Sequence, residues 1–195
     1  LGHAGFLLEA GDHAVAIDPF LTGNPVAKHA PGDIRCQHLV LTHGHADHFG
    51  DDTFAIAKAN GATVHAPFEI TEYMGEQGYE NVNPINPGGC VATDFGSVAL
   101  THAIHSSSYQ GRYMGAACGA VITIGGVTVY HAGDTSLFSD MRLIGERHQP
   151  DLAILPIGDR FTMGPEDANR AAEWIGAPCA IPCHYNTWPP IEVDV

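Results

Sequence analysis

Residues 41–51 read LTHGHADHFGD, three histidines and two aspartates directly after an apolar run. Imidazole and carboxylate together suit zinc, manganese, iron or nickel better than calcium or magnesium. In an extended segment alternate residues share a face, so His43 and His45 can point at one ion. The loop then turns Asp47 and His48 toward a second. Three further donors sit in matching places: His105 ends VALTHAIH, Asp134 follows VTVYHAG, and His184 follows CAIPC. Four separate apolar strands thus each deliver a metal-ligand residue type at or just past their C-terminal ends. A fold that gathers strand ends at one edge would unite all seven. Two ions held by seven protein ligands leave open positions for a hydroxide and a substrate oxygen, which describes a catalytic site and not a closed structural one.

The elements that must position these residues are legible from pattern. GFLLEAGDHAVAIDPF predicts strands over 5–9 and 14–18 with a Gly11-Asp12 hairpin turn. HLVLTH (38–43) predicts a buried strand. DDTFAIAKANG predicts a helix capped by Asp51 or Asp52 and ended by Gly61. ATVHAP returns to strand, and PFEITEYMGEQG predicts a helix with proline in its first turn. Two β-rich stretches follow, CVATDFGSVALTHAIH and GAACGAVITIGGVTVYHAGD, with hairpin signals at Phe95-Gly96 and Gly125-Gly126. SLFSDMRLIGERH reads as a helix, DLAILPIG as a strand, PEDANRAAEWIG as a helix and CAIPCHY as a final strand. The second half repeats the organisation of the first, and two sheets with helices outside them would bury this pattern.

The bulk numbers bound the partners. A chain of 195 residues, 45% hydrophobic and 15% charged, is a globular one. Its net charge of −14 and its lack of a Lys/Arg cluster argue against a nucleic-acid partner. No apolar run approaches the roughly 20 residues of a membrane span. Five cysteines without paired spacing, Cys36, Cys90, Cys118, Cys179 and Cys183, argue against a disulfide framework and for a reducing compartment, with the thiols buried as small hydrophobes. The expectation is a cytoplasmic enzyme acting on a small molecule, with no membrane association and with homo-oligomerisation left open.

THGHADH resembles the His-x-His-x-Asp-His motif of the metallo-β-lactamase superfamily. LGHAGFLLEAGDHAVAIDPFLTGNP, AIHSSSY, YHAGDTSLF, LPIGDRFTMGPEDA and PCHYNTWPP resemble, in order, its ascorbate-phosphate-lactonase-like branch, and within that a group of metal-dependent hydrolases. The resemblance implies an α/β fold, a four-layer αββα sandwich of two mixed β-sheets flanked by helices. It implies one hydrolase domain over 1–195 that lacks short N- and C-terminal pieces, because the family usually starts earlier and continues further. It implies two divalent ions, with zinc favoured and manganese, iron or nickel as alternatives. His43, His45 and His105 would hold one; Asp47, His48 and His184 would hold the other; Asp134 would bridge both. Asp47 and Asp134 are then the expected catalytic carboxylates. Asp18, in IDPF, would brace the metal-binding loop from behind, and His3, in LGHAGF, is a pocket or supporting residue. Asp159 stands where relatives often carry glycine, a departure that could alter the pocket wall.

Other residues read more plainly. His13, His29, His38, His65 and His148 fit no motif and read as structural or solvated; His102 and His131 read as strand residues. Ser106, Ser107 and Ser108 lack a nucleophile elbow, so they support or orient a ligand. Ser106, Arg112, Asp159, Tyr185 and Asn186, with Tyr109 and Thr187, are candidate pocket residues, and Arg112 and Arg160 are the cations placed to meet a phosphate. The expected reaction uses a hydroxide held by two ions to cleave an ester, lactone or phosphoester of a small molecule. The rival readings are a phosphodiesterase or nuclease of the same superfamily, a diiron oxidoreductase, and a non-catalytic metal-binding protein. The diiron relatives usually carry glutamate where His45 stands.

Overall fold

The computed structural model describes residues 1–194. A first sheet holds β1 (Phe6–Ala10), β2 (His13–Ile17), β3 (His38–Val40), β4 (Thr63–Ala66) and β5 (Val82–Pro84) in sequence order. Its helices are α1 (Asp51–Asn60) and α2 (Phe68–Glu76). The second sheet draws on β6 (Cys90–Ala92), β7 (Gly96–His102), β10 (Cys118–Ile124), β11 (Val127–His131), β12 (Leu152–Pro156) and β13 (Cys179–Cys183). Its spatial order is β13-β12-β11-β10-β7-β6, with helices α3 (Met141–His148) and α4 (Pro165–Ile175). A small hairpin, β8 (Ser108–Tyr109) and β9 (Arg112–Tyr113), projects from between β7 and β10.

Strand alternation explains the four layers. On β2, Val15 and Ile17 face the second sheet, where they meet Val98, Leu100, Ala120 and Ile122. Ala14 and Ala16 face the other way, toward Ile56, Ala57, Ile70 and Met74 of α1 and α2. On β10 the same period turns Val121 outward, into a cluster with Met141, Ile144, Ala168, Ala171 and Ile175 of α3 and α4. Each sheet therefore buries both faces, one on its partner and one on a helix pair, and the expected αββα sandwich of two mixed sheets is what forms. α3 and α4 approach closely because Gly145 is small: a Cβ there would lie 2.2 Å from the Ile175 carbonyl oxygen.

Strand direction does the rest. β2, β3, β4 and β5 run parallel, so their C-terminal ends share one edge. β11, β12 and β13 also run parallel, and β7 matches them because both β7 and β11 are antiparallel to β10. The two C-terminal edges meet through the hydrogen bond from Cys118 N to Thr42 O, 3.0 Å, which joins the segment after β3 to the second sheet.

Several local expectations are corrected. The strand expected over 38–43 ends at Val40, because Thr42 leaves the ladder to bond Asp18. Neither Asp51 nor Asp52 caps α1; its N-cap is Gly50. Asp52 instead accepts hydrogen bonds from Leu21 N at 2.6 Å, Thr22 N at 2.8 Å and Thr22 Oγ1 at 2.6 Å, tying down the loop after β2. The third helix forms only from Met141, since Ser136 N is drawn to Ile104 O, 3.3 Å away. Cys36, Cys118 and Cys183 are buried as expected, but Cys90 and Cys179 are exposed, each on an edge strand. Among the described residues no helix is long and apolar enough to cross a membrane.

Candidate metal centre

Asp18 directly follows β2, and its fully buried carboxylate organises the loop after β3. Thr42 donates to it twice, from N to Oδ1 at 2.8 Å and from Oγ1 to Oδ2 at 2.5 Å. His48 Nδ1 lies 2.9 Å from the same Oδ2. Thr42 Oγ1 also lies 3.0 Å from His43 Nδ1. One carboxylate and one hydroxyl thereby fix the outer nitrogens of His43 and His48, so both Nε2 atoms face the cleft. Gly44 N donates to Ser107 Oγ at 3.1 Å, holding the bend between His43 and His45.

The second sheet supplies the remaining donors. Asp134 follows Gly133, whose φ of 62° is left-handed; a Cβ at Gly133 would lie 2.3 Å from Cys118 O. His105 sits in the loop after β7, which Thr135 Oγ1 secures by accepting from Ile104 N at 3.0 Å. His184 directly follows β13 and is anchored by its N–H to His3 O, 3.1 Å. His3, Asp18 and His184 all hold positive φ, at 57°, 40° and 54°, a conformation that L residues keep only where the surroundings over-determine it.

The side chains converge in two groups. His43, His45 and His105 bring one nitrogen each within 4.8 Å of one another; His3, His48 and His184 do the same with one carboxylate oxygen of Asp47. In the first group His43 Nε2 and His105 Nε2 lie 3.0 and 3.2 Å from the same His45 Nδ1. Nitrogens around one tetrahedral zinc are separated by about 3.3 Å. In the second, Asp47 Oδ2 lies 3.1 Å from His3 Nε2, 3.5 Å from His184 Nε2 and 3.8 Å from His48 Nε2. Asp134 stands between the groups: its Oδ1 is 3.4 Å from His48 Nε2, and its Oδ2 is 2.9 Å from His184 Nε2 and 3.6 Å from His105 Nε2.

These contacts leave donors and acceptors unpaired. His48 Nε2, Asp134 Oδ1 and both ring nitrogens of His184 are buried without an aligned hydrogen-bond partner; the short Asp134–His184 approach lacks hydrogen-bond geometry. Unsatisfied buried polar atoms are costly, and here three residues aim them at the same space. An oxygen-and-nitrogen donor set of this composition fits a divalent transition ion.

Electrostatics divides the histidines. Burial pushes His43 well below the usual imidazole range and lowers His45 and His105 as well, which keeps the first group in the neutral, ligating form. Burial opposes protonation of His48 and His184 too, but the Asp134 carboxylate outweighs it, raising His48 well above its ordinary value and His184 to about 9. Burial alone would raise Asp47 and Asp134; the neighbouring histidines reverse that and hold both carboxyls below the usual range.

Of the further sequence candidates, His3, Asp18 and Ser106 come to the site. His3 also places Nδ1 2.8 Å from Thr187 Oγ1, and Ser106 Oγ lies 3.3 Å from His45 Nε2. Four do not come to it. Arg112 is bound to Glu76 and lies over the Tyr73 ring. Tyr185 packs into the core beneath α3 and α4. Asn186 accepts from Val193 N at 2.8 Å. Asp159 lines a separate acidic hollow with Glu166 and Asp167. Thr42, Phe161 and Trp188 were not singled out from sequence, although Thr42 precedes the histidine motif directly. Of the histidines read as structural, His131 is buried between Ala4 O and Gly133 N, at 3.0 Å each.

Residues 13–185 match the family model described as beta-lactamase superfamily domain. A UPF0173 metal-dependent hydrolase of Shouchella clausii is 52% identical over 99% of this chain and 87% of its own length. One from Geobacillus thermodenitrificans is 50% identical over the same shares. Among solved structures, Igni18, a metallo hydrolase from the archaeon Ignicoccus hospitalis, superimposes with a TM-score of 0.89 at 38% identity, over 99% of this chain and 84% of that one.

Proposed function

The chain belongs to the metallo-β-lactamase superfamily as a metal-dependent hydrolase, and from that premise we propose that it uses two divalent ions to cleave an ester, lactone or phosphoester of a small molecule. His43, His45 and His105 would hold one ion; Asp47, His48 and His184 would hold the other; Asp134 would reach both. Zinc suits this donor set best, with manganese, iron or nickel as alternatives set by supply. Such ions, when bound, provide water that ionises near neutral pH and a Lewis acid for the scissile carbonyl or phosphoryl oxygen.

The chain's own residues do the rest. Asp18 and Thr42 fix the tautomers and ring planes of His48 and His43, the kind of support worth 10- to 100-fold in metal affinity or activity. Asp134, buried beside His48 and His184 and held ionised by them, offers the carboxylate that would orient the attacking water. Ser106 sits at the mouth, within reach of His45 and of a substrate oxygen. A localisation in the cytoplasm, with a small-molecule partner and not a nucleic acid, accords with the charge of −14.

One observation carries this reading: buried polar atoms of His48, Asp134 and His184 lack partners and converge where ligands would be needed. The test is elemental analysis of protein purified without chelators, then a panel of esters, lactones and phosphodiesters with each metal restored. Two equivalents of metal with turnover support the proposal. Metal bound without turnover on any member would make the chain a metal-binding protein only.

A further inference from the structure

The cleft over the donors has a volume of about 290 Å³, at the small end for ligand sites. Besides metal-site donors, its walls are Ser106, Phe161 and Trp188. Phe161 comes from the loop between β12 and α4 and is 53% exposed, so it contributes little to the core. That loop is nonetheless fixed, by Asp159 N donating to Met163 O and Met163 N to Thr135 O, at 3.0 and 2.9 Å. Trp188 is held from behind, stacked on His3 at 4.7 Å between ring centroids and edge-on to Phe20 at 6.1 Å. Two aromatic side chains thus line the cleft, with no ring contact between them among the described residues.

Among the described residues no cationic side chain lines the cleft. Arg112 is occupied by Glu76, and Arg160, the nearest in sequence to the wall, lies over the Phe161 ring with its guanidinium carbon 5.7 Å from the centroid. The helix that follows Phe161 begins among Asp159, Glu166 and Asp167, so its N-terminus is already supplied with negative charge. Apart from Arg160 beside the Phe161 ring, a phosphate remote from the scissile bond would meet no counter-charge among the described lining residues, and the strongly acidic chain would repel it.

We infer that Phe161 and Trp188 form an apolar clamp that selects a small, uncharged ester or lactone carrying a flat apolar group. This rests on the hydrolase reading and deepens it. Substrate phosphorylated away from the reacting bond is selected against. Phe161 and Trp188 determine specificity; they move no proton and touch no reacting atom.

The experiment uses zinc-loaded protein and three acetate esters of alcohols with similar leaving ability: methyl acetate, benzyl acetate and 2-phosphoethyl acetate. The expected kcat/KM for benzyl acetate exceeds that for methyl acetate by about tenfold or more, while 2-phosphoethyl acetate gains nothing. Phe161→Ala, at an exposed position, should raise KM for benzyl acetate so that the ratio of kcat/KM for benzyl over methyl acetate falls to about one. A preference for the phosphorylated ester, or a benzyl advantage intact in Phe161→Ala, overturns the clamp while leaving the hydrolase reading in place. A second readout is independent of turnover: quenching of Trp188 fluorescence by 4-nitrobenzyl alcohol, whose nitroaromatic ring quenches indole, in a Trp174→Phe background. Saturable quenching that Phe161→Ala weakens about tenfold upholds the clamp even if no ester is cleaved, in which case the hydrolase reading alone fails. Absence of saturable quenching overturns the clamp.

Discussion

His48 Nδ1 lies 2.9 Å from Asp18 Oδ2, and both side chains are sealed from solvent. The carboxylate fixes which imidazole nitrogen faces the cleft and makes it a stronger donor. Asp18→Asn keeps the shape, and asparagine tolerates the positive φ of this position. Zinc affinity, read by competition with a chromogenic chelator, should fall about 10- to 100-fold. Unchanged affinity would remove Asp18 from the supporting role.

Among the described residues Asp134 is the one carboxylate within 3.6 Å of histidines from both donor groups. Asp134→Ala should lower kcat/KM by at least about a thousandfold, the scale of losing a group stabilising charge in the transition state. Far-ultraviolet circular dichroism should stay native. His48→Ala should behave alike. Wild-type turnover in either variant would end the proposed mechanism.

Metal binding should stabilise the fold, because it satisfies buried atoms that otherwise lack partners. At free zinc near one hundred times Kd the gain is about 2.7 kcal/mol. For a chain of this length that corresponds to roughly 5–10 °C in Tm. Calorimetry with zinc and with a chelator checks it; equal midpoints would contradict the fit of these residues to an ion.

Far from the site, His65 is buried between the sheets with Nε2 3.1 Å from His38 Nδ1, and burial lowers it to about 4. His38 Nε2 in turn lies 2.9 Å from Asp94. The neutral ring is the one the fold accepts. Its contribution is therefore complete above about pH 6.5 and is lost as pH falls toward 4, at most about 3 kcal/mol. Urea unfolding of chelated wild type and His65→Gln at pH 7 and pH 4.5 should show the variant losing less stability on acidification. Equal losses would rule out this assignment.

Strand and helix order were legible because period and length separate them: ITIGGVTV can only turn at its glycine pair, and PEDANRAAEWIG carries its start and stop residues. The convergence of the seven candidate donors was legible because each follows an apolar run. Loops carry no such period. Asp52 reads as a cap in sequence but spends its oxygens on Leu21 and Thr22, a partnership set by how two loops pack. Tyr185 and Asn186 directly follow the donor His184, Arg112 comes soon after His105, and Asp159 follows the end of β12, yet adjacency in sequence does not fix which way a turn points. Phe161 and Trp188 escaped notice for the same reason: nothing in GDRFTMG or NTWPP marks an aromatic that faces the cleft.

Each donor group takes residues from both sheets: His43 and His45 with His105 in one, Asp47 and His48 with His184 in the other. An ion in either place would rivet the seam between the halves of the molecule. Its loss would undo that rivet, so a chelated molecule should hold its two halves together less firmly at this edge than a loaded one. Hydrogen exchange in chelated protein would accordingly rise first along this rim, well before the apolar middle of the sandwich yields.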